Sequence, residues 1–295
     1  VGDGNYLEQV HLSSNGGASR VVLSGEDRDP AGAVLTTISQ PAMLFDGGTN
    51  VLLEGVTVNN SPGDGIQARG TLVASRVDVS NNVANGIGQS SMDASGGMRV
   101  FDSKLTNNGN LGVSSGKGYV DVERDLVLGN QGGGIRTSQG PITIINCIVA
   151  RNGSSTSNVG GLRLDNLTVA GSDVELDTIA YNTIQSGTNA GGVQAGSQLA
   201  ITNMILADNG AAGSAQMSSN VAVTHSLFEG GPQPQGMGNK TGSPAFKDIT
   251  NGDFHITAAS SALDNAAATT IGVDIDGDTR PYGAGYDMGA DEYHP

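Results

Sequence analysis

An asparagine recurs along this chain in one setting: two residues after an aliphatic or alanine position, with a Gly-aliphatic pair following. Val58-Asn59-Asn60 precedes Gly65-Ile66, Val79-Ser80-Asn81 precedes Gly86-Ile87, and Leu105-Thr106-Asn107 precedes Gly112-Val113. Leu128-Gly129-Asn130 precedes Gly134-Ile135 with one residue fewer between, and Ala150-Arg151-Asn152 and Ala180-Tyr181-Asn182 reach Gly161-Leu162 and Gly192-Val193 over longer insertions. Asn209 continues the series, and successive asparagines lie 21, 26, 23, 22, 30 and 27 residues apart. Each unit opens on an alternating stretch rich in Val, Ile and Thr, such as Tyr119-Val120-Asp121-Val122 or Leu199-Ala200-Ile201-Thr202, and none sustains a helical period. Short strands repeated with the same turn chemistry describe one rung of a solenoid, whose apolar face is buried only by stacking on its neighbours. Asparagine tolerates left-handed backbone and can bond its equivalent a rung away. Asn60, Asn81, Asn107, Asn130 and Asn152 are therefore expected to stack and satisfy turn amides, beside glycines where a Cβ would clash.

Composition agrees with a packed solenoid. Glycine, 46 of 295 residues, has no G-X-Y period and comes with only 9 Pro, which excludes collagen and Pro-rich disorder. Charged residues are 15% of the chain, too few for a solvated disordered chain or a long helix bundle. The formal charge of −15 repels nucleic acid phosphates and anionic membranes, so neither is an expected partner, and no apolar run is long enough for a spanning helix. The chain opens at Val1-Gly2-Asp3-Gly4 without an initiator Met or a basic-plus-apolar signal, which fits a trimmed secreted product and equally an arbitrary cut. Cys147, the single cysteine, lies in an alternating stretch and reads as a small buried hydrophobe.

The repeat resembles the right-handed parallel β-helix of the pectate-lyase-like superfamily over residues 1–230, and the opening Gly4-Asn5-Tyr6-Leu7-Glu8-Gln9-Val10-His11-Leu12 is similar to the first rung of many such proteins. The expected fold class is all-β: one single-stranded right-handed parallel β-helix of about ten rungs, a rod on the order of 50 Å long. After residue 230 the rhythm breaks at Gly231-Pro232-Gln233-Pro234, and residues 231–295 are expected to form a C-terminal capping segment packed on the last rungs. The segments Ser243-Pro244-Ala245-Phe246, Asp253-Phe254-His255-Ile256, Asp274-Ile275-Asp276-Gly277-Asp278 and Tyr286-Asp287-Met288-Gly289-Ala290-Asp291-Glu292 resemble the C-terminal region of bacterial choice-of-anchor Q proteins. The resemblance implies a secreted or cell-surface location.

If Ile66, Ile87, Val113, Ile135, Leu162 and Val193 point inward, then Gln67, Gly88, Ser114, Arg136, Arg163 and Gln194 form an outward column, and Arg69, Ser90, Gly116, Ser138, Asp165 and Gly196 a second. Arg136 and Arg163 then meet on neighbouring rungs, which calls for an anion between them or a carboxylate such as Asp165 beside them. In lyases of the resembled superfamily a polysaccharide lies along such a sheet, and β-elimination needs a base plus a cation that neutralises the uronate. The resemblance thus implies an anionic polysaccharide as partner. Arg136, Arg163 and Lys117 are the catalytic candidates, with Arg69, Gln67, Asp165 and Gln194 binding the glycan. The bland reading is a solvated Arg pair or an Arg163–Asp165 contact on a non-catalytic surface or adhesion module. The acid cluster that binds calcium in that superfamily is missing from these columns, and only one acid stands there for hydrolysis, which takes two.

Asp274, Asp276 and Asp278 offer three carboxylates at a spacing suited to Ca2+, though without the twelfth-position Glu of an EF-hand, and no organic cofactor is expected. Arg280 can pair with Asp287 or Glu292 inside the cap instead. His11, His225, His255 and His294 lie scattered without metal spacing, no G-x-S-x-G elbow is present, and Tyr181, Tyr282 and Tyr286 are candidates for packing before sugar stacking.

Overall fold

The computed structural model describes residues 4–6, 9–13, 20–25, 33–36, 40–46, 50–89, 96–168, 170–185, 190–210, 215–230 and 234–295. Leu7 and Glu8 of the opening motif, Ser90 of the second column and Gly231-Pro232-Gln233 lie outside the described residues.

The strands form three parallel sheets that the chain visits in turn, the layout of a right-handed parallel β-helix. Sheet A has 11 strands, sheet B 8 and sheet C 9, so the coil makes about eight complete turns rather than about ten. No helix long and apolar enough to cross a membrane occurs among the described residues. Inside the coil, Ile66, Ile87, Val113, Ile135, Leu162 and Val193 stack in register from sheet B and are each at most 1% exposed. They meet Val79, Leu105, Val127 and Val149 from sheet A and Val100, Val122 and Ile144 from sheet C. Each such side chain contributes roughly 1.5–3 kcal/mol on burial.

The turns carry the repeat. From sheet A toward sheet B the chain passes through a left-handed residue, Asn60, Asn81, Asn107, Gly129, Arg151, Tyr181 or Asp208, and then a buried one. That buried position holds Ser61, Asn82, Asn108, Asn130, Asn152, Asn182 and Asn209. Asn82 Oδ1 accepts from Ser61 N, and each later asparagine Oδ1 accepts from the backbone N–H and the Nδ2 of the preceding rung's asparagine, as where Asn108 N and Nδ2 donate to Asn130 Oδ1 at 3.0 and 2.9 Å. Gln216 closes the ladder at Asn209. The stack is thus one residue later than expected in its first three units: Asn60, Asn81 and Asn107 take the left-handed turn, and Ser61, Asn82 and Asn108 line up with Asn130 and Asn152. The glycines beside it are needed for space, since a Cβ on Gly86 would lie 2.8 Å from Asn108 Nδ2.

The turn from sheet C to sheet A repeats the device, with Arg76, Asp102, Arg124, Asn146, Leu176 and Asn203 left-handed and Val77, Ser103, Asp125, Cys147, Asp177 and Met204 buried after them. Asp125 Oδ1 accepts from Ser103 N at 2.6 Å and Asp177 Oδ1 from Cys147 N at 2.8 Å, while each Oδ2 is buried without a hydrogen-bond partner. Burial holds both carboxyls well above the ordinary aspartate range and pushes up the Cys147 thiol between them. A raised folded pKa gives stability that is present below the unfolded value and lost as pH rises through the folded one. The protein is therefore expected to be more stable near about pH 5 than near about pH 8. Asp125→Asn and Asp177→Asn keep the acceptor and should raise the midpoint of urea unfolding at the higher pH, flattening the profile. A profile unchanged in both variants would rule these groups out as its source.

Residues of the segment 243–293 pack on the outer face of sheet A. Phe254, Ile256, Ala262, Met288 and Ala290 pack on Ile148, Ala150, Ala180, Ile205, Ala207 and Leu227. Tyr181 from a turn meets Phe246 and Phe254 with ring centroids 6.4 and 6.0 Å apart, so its ring is used in packing. The cap's own core is Arg280, whose side chain is 0% exposed and whose guanidinium donates to the Asp287 and Gly289 carbonyls and to Glu292.

Candidate functional site

Two surfaces carry concentrated chemistry. The first is the outer face of sheet B. Gln67, Gly88, Ser114, Arg136, Arg163 and Gln194 align in register, as the alternation implies. Arg136 and Arg163 are direct neighbours, and Asp165 serves both: its Oδ1 lies 3.1 Å from Arg163 Nε and its Oδ2 3.4 Å from Arg136 Nη2. The like charges are thus offset by the carboxylate and not left open for an anion alone. Arg69 pairs with Asp46 at 3.0 Å. Lys117 is exposed in the turn after the strand Leu111–Ser115, and Gln194 Oε1 accepts from Ala190 N at 3.2 Å.

Asp64 is an acid on this face that the column pattern does not show. It precedes Gly65 in a turn, its Oδ1 takes the N–H and Nδ2 of Asn85, and its Oδ2 overlies Gly88, where a Cβ would come within 2.8 Å. Burial raises its pKa against the Asn85 bonds. The signal was the glycine in the outward column, which marks something packed over it.

The second surface is a cleft of about 410 Å³ between the cap and sheet A, with Lys104, Arg124 and Asp102 on one wall and His255 and Asp276 on the other. Arg124 Nε binds Asp102 Oδ1 at 2.7 Å. The strand Asp253–Ile256 turns Phe254 and Ile256 into the core and leaves Asp253 and His255 on the opposite side. His255 Nδ1 is 2.5 Å from Asp253 Oδ1, and its Nε2 is 3.0 Å from Asp276 Oδ2. Burial works against a charged imidazole there, but the Asp253 bond and the Asp291 and Asp276 carboxylates raise its pKa overall. Asp291 is pushed up to about 6, chiefly by burial.

The expected calcium trio does not converge. Asp274 is fully buried with Oδ1 accepting from Asp276 N and Asp278 N and Oδ2 from Glu292 N, so its carboxylate organises the loop. Asp278 is exposed, and of the three only Asp276 joins a metal-capable group among the described residues, with His255 and Asp291. No sequence period links those positions, because the cap chain between them is irregular.

The coil, its ladder turns and its three sheets define a right-handed parallel β-helix protein. The family profile described as the right handed beta helix region matches residues 34–175. Among solved structures the chain is similar to the crystal structure of pectate lyase Pel9A, with a TM-score of 0.55 and 15% identity over 99% of this chain and 87% of that one. That likeness is one of fold. No curated protein matches.

Proposed function

We propose that this is an extracellular β-helix protein that binds an anionic polysaccharide along the outer face of sheet B. One observation carries the reading: among the described residues, Arg69, Arg136 and Arg163 on that face and Lys117 in the turn beside it stand with three carboxylates, Asp46, Asp64 and Asp165, a surplus of one positive charge on a chain of net −15. The residues repeat at the strand spacing of about 4.8 Å, close to the rise of one sugar, so a linear glycan can meet equivalent positions on successive rungs. Gln67, Ser114 and Gln194 supply hydrogen-bonding groups in the same line. The similar fold of a pectate lyase and the resemblance of the cap to surface-anchored proteins support the substrate class and the location.

Binding without cleavage is the form the geometry favours. Elimination needs a base to take the proton from the carbon bearing the carboxylate, the electron pair to form the double bond, and the glycosidic oxygen to leave. A cation must hold that same carboxylate. Asp64 overlies Gly88, two strands from Arg136, or roughly 10 Å, too far for both to act on one sugar, and Asp165, the nearer carboxylate, is engaged by both arginines. Affinity electrophoresis in gels containing pectate, alginate or a glycosaminoglycan tests the reading. Retardation by at least one acidic glycan is expected, weakened about tenfold, or about 1.4 kcal/mol, in Arg163→Ala, with no rise in unsaturated-uronate absorbance. Equal mobility with and without every glycan would overturn binding, and a rise in absorbance would restore the lyase.

A further inference from the structure

We propose that His255, Asp276 and Asp291 bind one divalent transition-metal ion on the cap wall of the cleft facing Arg124 and Lys104. One ligand atom from each lies within 4.8 Å of the others, and no other group of three such residues occurs among the described residues. An ion with metal–ligand distances of about 2.0–2.2 Å accepts donors up to about 4.2 Å apart, so these donors stand within about 1 Å of its reach. Three features point to an ion rather than to a salt bridge alone. His255 Nε2 is buried and only 3.0 Å from Asp276 Oδ2, yet has no hydrogen-bond partner, so the carboxylate stands off the N–H direction, as two ligands of one ion do. Asp291, 7% exposed, accepts the Ile256 N–H through Oδ2 at 2.7 Å, and its Oδ1 makes no hydrogen bond among the described residues. Asp253 holds His255 Nδ1 at 2.5 Å, the carboxylate–histidine arrangement that fixes the tautomer and aims the other nitrogen at a metal.

The nitrogen donor decides the class of ion. Calcium takes six to eight oxygens, whereas imidazole with carboxylates suits Zn2+ or Mn2+. Three protein ligands leave positions open to the cleft, where Arg124 and Lys104 favour an oxyanion as the exchangeable ligand. The site is separate from the face of sheet B, so it stands or falls independently of glycan binding.

Equilibrium dialysis of the chelator-treated full chain against zinc, manganese and calcium chlorides tests it. One zinc or manganese per chain is expected, with at least about tenfold weaker binding in His255→Asn and Asp276→Asn, a similar loss in Asp253→Asn, and none in Asp278→Asn. Asp276 is exposed on a turn, so its variant keeps the test valid where His255→Asn disturbs the cap. The proposal is overturned if neither ion is taken up stoichiometrically, if calcium binds in preference to both, or if uptake is the same in all variants.

Discussion

Arg280→Ala is expected to cost about 3–5 kcal/mol, the usual result of removing one partner from a buried ion pair. The Arg280 and Glu292 side chains are both 0% exposed. Without the guanidinium, Glu292 keeps only the Tyr282 and Asp287 amides as donors, and the carbonyls of Asp287 and Gly289 lose theirs. The loss falls on the cap first, because these groups hold residues 280–292 against themselves while the apolar contact with Ile148, Ile205 and Leu227 docks them on the coil. Urea unfolding followed by circular dichroism, with limited proteolysis for the cap, should show the cap detaching while the coil stays folded. Arg280→Met combined with Glu292→Gln removes both charges and should recover most of the loss. A cost below about 1 kcal/mol for Arg280→Ala would mean that the apolar face alone holds the cap.

How much of this was legible in the sequence differs between coil and cap. Period-2 stretches and the turn asparagines are local signals repeated many times, so the all-β solenoid and the Arg136–Arg163 column followed from residues alone. The cap's place on sheet A left a signal as well: Leu126–Leu128, Ile148–Ala150 and Ile205–Ala207 are apolar at all three positions, the mark of a strand buried on both faces. Earlier strands of the same sheet, Asp78–Ser80 and Lys104–Thr106, alternate, and none of their residues joins the apolar cluster under the cap. His255 and Asp291 could not be joined from the sequence, since their approach depends on irregular chain whose path is set by Asp274 and Arg280 inside the cap.

Asn108→Ala is expected to destabilise the coil by about 3 kcal/mol or more, and Asn107→Gly by less than about 0.5 kcal/mol, although the two residues are adjacent. Asn108 Oδ1 accepts from Asn82 N and Nδ2 at 3.1 and 2.9 Å, and its Nδ2 donates to Val79 O at 3.0 Å and Asn130 Oδ1 at 2.9 Å. Truncation takes the acceptor from Asn82 N–H and Nδ2 at a site with 0% exposure for Asn108, at about 1–3 kcal/mol for each group, and removes a donor from the Val79 carbonyl. Asn107 is exposed with φ of 55°, a conformation glycine adopts freely, and its replacement removes no ladder bond. The clue to this register was present in the spacing. Asn130 stands four residues before Gly134, and so do Asn82 before Gly86 and Asn108 before Gly112, whereas Asn81 and Asn107 stand five before. Thermal unfolding of both variants decides the register directly, because equal losses, or a larger one in Asn107→Gly, would place the stack on the earlier asparagine. Since each rung's turn amide is satisfied by the next rung's side chain, the damage should also spread to Asn82, read as faster hydrogen exchange at its amide.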